Sequence, residues 1–272
     1  MSDTANKLKG YAVPLTSQGK SSIDPPPPWH YSSDNLAIEY WADPEAVAAL
    51  MPPGMIADPD ANGRCTFWFL DWQFTGENDE LTDPARYQYR EAFILVDAIF
   101  EGMKVTYCPY IFVDNDAAIA RGWIQGFPKR LGSVFQTRSF AAPSPAAAPL
   151  APGSRFGGSL SAHGSRLATA RIQLEEPVAD PTTVFNRPTT IRRYFPQLVA
   201  GKQDVPAVDE LTLSLTDNPM IVEMWAGSAE LSIPEVENED MHLIAPLRVG
   251  RGYRFSMSYS VTDLKILRDY RA

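Results

Sequence analysis

Imidazoles and thiols are scarce in this chain. His30, His163 and His242 lie far apart, and the two cysteines, Cys65 and Cys108, sit singly in separate apolar runs. No pair has the spacing of zinc ligands, so no metal is expected, and nothing points to a Ser-His-Asp or Cys-His device. The cysteines are expected as two reduced, buried thiols. Positive charge is also short: 24 Lys and Arg face 33 Asp and Glu, a net charge of −9 with pI near 4.9. That excludes nucleic acid and anionic membrane as main partners, since either needs a basic face. No run reaches the roughly 18 to 20 apolar residues of a membrane-spanning helix. The first residues, Met1 to Lys7, lack the apolar core of a secretory signal, so a cytoplasmic protein is expected. What remains is an ordinary globular composition, 44% hydrophobic and 21% charged over 272 residues.

Residues 1–28 are polar and end in four consecutive prolines, Pro25 to Pro28, which predicts an extended N-terminal arm over the surface of a single domain at 29–272. Asp43 is a plausible N-cap with Pro44 at the first helical position, giving a short helix over Glu45–Leu50 that Pro52-Pro53-Gly54 ends. Strand signals dominate after that. Cys65–Phe74, Tyr87–Phe100 and Val105–Val113 are rich in aromatic and β-branched residues, with Glu101-Gly102 as a turn. Their near-continuous apolar character predicts strands covered on both faces. Asn115 caps a predicted helix over Asp116–Trp123. The Pro/Ala-rich stretch 140–154 reads as a long surface loop rather than an interdomain linker. Further strands are predicted at Ser159–Ala162, Leu167–Leu174, Glu210–Leu215, Met220–Ile233 and Tyr253–Ile266. The fold class is mainly β (α+β), with antiparallel sheets forming a barrel and a few short helices.

Only seven lysines are present, and one of them, Lys129, lies in Gln125-Gly126-Phe127-Pro128-Lys129-Arg130-Leu131-Gly132. These flanks describe an interior turn more than a solvated face. A free lysine has a pKa near 10.4, so about a thousandth is amine at neutral pH. Burial or a neighbouring cation destabilises the ammonium, and a drop of roughly three units raises the amine fraction several hundredfold. Arg130 is a permanent cation next in sequence, although alternation in a strand sends adjacent side chains to opposite faces. Glu91 opens a strongly apolar run, an unusual place for a carboxylate without a partner or a task. On the residues alone, Lys129 could equally snorkel from a turn and Glu91 could pair at a strand edge. A barrel lined by Trp68, Trp72, Phe93 and Tyr107 could also hold an apolar ligand with no chemistry at all.

The stretch Gly126 to Gly132 resembles the Pro-Lys-Lys-Leu-Gly signature of the acetoacetate decarboxylase superfamily, whose first lysine forms a Schiff base with a substrate keto group. The approach Val113 to Ala120 is also similar to the family's, and Tyr89-Arg90-Glu91 falls where the family places its active-site glutamate. The resemblance implies the barrel- or cone-like fold of that family, homo-oligomeric assembly, a small-molecule oxo acid as substrate and no cofactor. It makes Lys129 the Schiff-base lysine and Glu91 its general acid/base, with Arg130 and Phe127 tuning the lysine or touching substrate. Burial or a neighbouring cation is the known means of activating this family's lysine.

Three departures bear on the outcome. Arg130 replaces the second lysine, and His30 to Asn35 contains no arginine where decarboxylases of the family carry one for the substrate carboxylate. Gln125, four residues before the lysine, stands where an acidic residue is usual. A neutral residue there resembles a divergent aldolase-dehydratase branch that condenses pyruvate with an aldehyde and also uses a downstream tyrosine, for which Tyr259 is suitably placed. The resemblance therefore implies aldol condensation and dehydration, with decarboxylation of acetoacetate or another β-keto acid as the alternative.

Overall fold

A computed structural model describes residues 7–272. Of the expected arm, residues 1–6, and with them the reading of a leaderless start, lie outside the described residues. Twelve strands make up most of the fold: β1 (Trp29–Trp41), β2 (Met55–Ala57), β3 (Arg64–Thr75), β4 (Tyr89–Phe100), β5 (Met103–Val113), β6 (Lys129–Leu131), β7 (Ser133–Gln136), β8 (Arg155–Ala162), β9 (Ser165–Pro177), β10 (Thr189–Phe195), β11 (Val208–Ser232) and β12 (Arg248–Asp269). Three short helices interrupt them, α1 (Pro44–Ala49), α2 (Pro84–Tyr87) and α3 (Asp116–Gln125). Among the described residues no helix is long and apolar enough to cross a membrane.

The strands form one sheet that closes on itself. Neighbours run β5-β4-β3-β1-β12-β11, and β10 joins the two ends by pairing with both β11 and β5. Pairing is antiparallel except where β5 meets β6 and β10. Closure removes two exposed sheet edges. Only the first half of β11 serves the barrel. Its ladder with β12 slips between Asp217 and Met220 and again between Val222 and Trp225, with Asn218 and Glu223 at positive φ. Such bulges bend a strand, and the second half of β11 leads away into β9, β8 and β7. Two strands were expected here, and one bulged strand is found.

β7, β8 and β9 fold back over the outside of the barrel. Strand alternation then divides the side chains. Phe67, Phe69, Ala92, Ile94 and Phe112 face Val134, Phe156, Leu160 and Ala170 of the outer layer. Trp68, Leu70, Trp72 and Phe74 face the barrel interior with Tyr31, Tyr89 and Phe255. This double covering explains why β3 and β4 read as unbroken apolar runs. The Pro/Ala-rich stretch 140–154 connects β7 to β8, which pair with each other. Before β1, residues 7–28 hold one isolated bridge, Lys9 with Thr16, and otherwise irregular chain.

Candidate active site

The turn carrying Lys129 follows from local backbone chemistry. Asn115 caps α3, its side-chain oxygen accepting from the Ala118 N–H at 2.8 Å. The helix runs past the expected Trp123 to Gln125 and stops at Gly126, whose φ of 113° suits glycine. The Gly126 and Phe127 N–H groups both donate to the Gly122 carbonyl, at 2.8 and 2.9 Å. Pro128 cannot continue the helix, and Lys129 opens β6, lying beside Ile111 of β5 in parallel register.

From that position the registers decide who faces whom. Lys129, Ile111, Phe93, Trp68 and Ala37 form one cross-strand row on the interior face. Glu91, with Leu70 and Asn35, forms the next row on the same face. Lys129 Nζ comes to rest 2.6 Å from Glu91 Oε2, and the two side chains are 7% and 5% exposed. Trp72 Nε1 donates to the other Glu91 oxygen at 3.1 Å. The Lys129 nitrogen also sits 5.4 Å from the Tyr89 ring centre and 5.8 Å from that of Phe127. Burial holds the Lys129 ammonium below the usual lysine range; the Glu91 carboxylate opposes this and the Arg121 guanidinium adds to it.

Lys129 and Glu91 border a cavity of about 280 Å³ with two kinds of wall. Trp68, Phe93, Leu95, Ile111 and Phe185 are apolar, whereas Gln125, Ser214, Thr216, Ser258 and Tyr259 can form hydrogen bonds. Along β4 the cavity runs from Tyr89 to Leu95, about 20 Å of strand. Gln125 is buried; its Nε2 donates to the Arg121 carbonyl at 3.2 Å and its Oε1 accepts from Ser214 at 2.9 Å. One Nε2 proton is left for a ligand. Burial lifts the Tyr259 phenol well above its usual pKa, so it keeps its proton at neutral pH. A more open groove of about 660 Å³ runs over β8, β9 and β11, but it is lined by no lysine.

Of the six residues singled out in the sequence, Lys129, Glu91, Gln125, Tyr259 and Phe127 meet at this cavity. Arg130 does not. It lies on the opposite face of β6, paired with Glu239 at 2.6 Å and placed over the Phe112 ring. Strand alternation thus removes it as the cation that tunes Lys129. Tyr107 also leaves the expected lining, because it stands opposite Val96 and packs against the outer core. The cation near the lysine is Arg121, which sequence reading passed over although Arg121 and Gln125 share one face of α3 at i, i+4.

Gly122 is the other unforeseen member. A Cβ there would stand 2.3 Å from Lys129 Cδ and 2.7 Å from its Cγ and Cε, so only glycine lets the lysine stem pass. Gly122→Ala is expected to cost at most about 2 kcal/mol, since the overpacking of roughly 1 to 3 kcal/mol is partly offset by about 1 kcal/mol of helix propensity. The displaced amine should react roughly 10²-fold more slowly with an oxo acid. Thermal unfolding and single-turnover trapping would measure the two effects separately.

The acetoacetate decarboxylase family model matches residues 12–271. Among solved structures, the enduracididine biosynthesis enzyme MppR complexed with the condensation product of pyruvate and imidazole 4-carboxaldehyde is 34% identical. That comparison has a TM-score of 0.90 and covers 97% of this chain and 98% of that one. The same enzyme complexed with pyruvate is 33% identical, with a TM-score of 0.89 and coverages of 97% and 99%. An acetoacetate decarboxylase-like enzyme from Sphingomonas wittichii RW1 shares the fold at 23% identity, with a TM-score of 0.86 and coverages of 96% and 100%. No curated protein matches the chain in sequence.

Proposed function

Because the chain belongs to the acetoacetate decarboxylase family, we propose that it is a Schiff-base lyase joining a pyruvate-like 2-oxo acid to an aldehyde with loss of water. The observation that carries this reading is the buried Lys129–Glu91 pair, 2.6 Å apart at the wall of the cavity. A lysine in that setting gives up its proton more readily than one in water, and the carboxylate beside it can take the proton.

Neutral Lys129 Nζ adds to the keto carbon, and the keto oxygen leaves as water to give an iminium. Glu91 removes a proton from the neighbouring methyl group, and its electrons move toward the iminium nitrogen to form an enamine. The enamine carbon attacks the aldehyde, whose oxygen takes a proton from the Tyr259–Glu91 side of the cavity. Loss of that hydroxyl and of a second proton from the former methyl carbon gives water and a conjugated iminium. Hydrolysis then frees an unsaturated 2-oxo acid and Lys129. The remaining Gln125 Nε2 proton is suited to the oxo-acid carboxylate, and the aromatic wall to the aldehyde's substituent.

Condensation over decarboxylation is supported by the neutral Gln125 and by the lack of an arginine between His30 and Asn35. It is supported as well by MppR, which binds pyruvate in one solved complex and a pyruvate–aldehyde condensation product in another. With pyruvate and a one-ring aromatic aldehyde, a conjugated product should accumulate and absorb in the near ultraviolet. With acetoacetate alone, CO₂ release should stay at the uncatalysed rate. Rapid CO₂ release without condensation would overturn the assignment.

A further inference from the structure

The irregular segment before β1 places one side chain deep in the molecule. Asp24 is fully buried and lies 2.5 Å from Nη1 of Arg121, which is itself 1% exposed. The guanidinium is held from other sides too: its Nε donates to the Tyr31 hydroxyl at 3.0 Å, and it stacks 3.7 Å above the Phe74 ring. Yet the pair is joined by a single hydrogen bond, leaving Asp24 Oδ2 and Arg121 Nη2 buried with no partner among the described residues. An ion pair shaped for rigidity alone would engage both oxygens.

Arg121 and Lys129, from α3 and β6, are two buried cations that share the Tyr89 ring, lying 5.6 and 5.4 Å from its centre. The ionisable groups facing Lys129 are Glu91 and Tyr89 from β4, Cys108 from β5, Arg121 from α3, and Tyr31 and Tyr259 from β1 and β12. Only Glu91 among them is an anion at neutral pH. The charge balance around the two cations therefore depends on an anion supplied from outside the barrel.

We propose that Asp24, delivered by the arm, is a positioning residue that sets the proton affinity of Lys129 by offsetting the charge of Arg121, so that docking of the arm is part of making the reactive amine. Tyr31 and Phe74 keep the guanidinium in place when Asp24 is neutralised. Its full positive charge then acts on Lys129 and drives the proton off more easily. The direction agrees with the charges already described: Arg121 lowers the Lys129 pKa, and Lys129 and Arg121 both stabilise ionised Asp24 against its burial. This deepens the Schiff-base reading by assigning the control of its nucleophile, but its test needs no substrate.

The Lys129 amine can be titrated in the full chain by trace acetylation with acetic anhydride at graded pH, read by peptide mass spectrometry. Asp24→Asn should move the labelling midpoint of Lys129 to lower pH by on the order of one unit. Arg121→Met should move it to higher pH. Lys104, exposed and distant, serves as the internal control and should not change. A purely structural Asp24 would lower the unfolding temperature and leave the midpoint in place, and that result would overturn the proposal. If Asp24→Asn does not fold, Asp24→Glu keeps the charge but displaces it; a midpoint shifted below the wild type supports the proposal, and an unshifted one refutes it. Failure of wild-type trapping with pyruvate would instead count against the proposed function alone.

Discussion

Lys129→Ala should remove all pyruvate-dependent mass gain after borohydride reduction, while the wild type gains one reduced pyruvyl group per chain. The reason is specific to this lysine. Its amine is buried in the barrel and pulled below the usual lysine range, so at any given pH more of it is neutral than of a lysine in water. Lys104 is the contrast: it is half-exposed beside Asp58 and Asp60, which hold it charged. Turnover of the variant should fall by roughly 10⁴- to 10⁶-fold, the range seen when a nucleophile or its base is removed. Folding should survive, because removing one partner of the pair leaves Glu91 with its Trp72 hydrogen bond and the option of binding a proton. An adduct of equal yield on Lys129→Ala would end the Schiff-base reading. Circular dichroism would confirm that the variant is folded when the trapping is done.

Glu91→Gln should separate two roles that one carboxylate combines. As general acid/base it moves the protons in enamine formation and dehydration, and its loss should slow overall turnover by roughly 10²- to 10⁴-fold. As an anion 2.6 Å from Lys129 Nζ it favours the ammonium. Removing that charge should lower the lysine pKa further, so the acid limb of iminium formation should shift to lower pH. The sign follows from the protonation states: reaction needs the amine, its fraction rises with pH through the lysine pKa, and a lower pKa starts that rise earlier. Single-turnover trapping across pH reads the shift, and steady-state condensation reads the rate. If both measurements fall together with no shift in the limb, Glu91 is not the group that sets the charge on Lys129.

Much of this was legible from residues met in order. The apolar character of β3 and β4 announced strands covered on both faces, and the cores on the two sides of the barrel wall are the physical cause. Lys129, Glu91, Gln125 and Tyr259 were each marked by an odd setting or by resemblance. The arrangement of the site around them was less legible. Arg130 was adjacent in sequence and turned out to face Glu239, whereas Arg121, eight residues before the lysine, faces it across the helix-to-strand turn. Gly122 gave no signal, since a glycine in a helical pattern reads only as a weak helix former.

By itself the sequence determined the class of fold, the absence of local metal-binding or nucleophilic-triad signatures, and which lysine to propose for the chemistry. These rest on patterns a few residues long: alternation, caps, turn residues and a short signature. Tertiary structure alone decided which charges act on that lysine. Glu91 reaches it through strand register, Arg121 through the crossing of α3, and Asp24 meets Arg121, 97 residues on in sequence, through the packing of the segment before β1. Electrostatic coupling depends on distance and burial, and neither is written in the order of the residues.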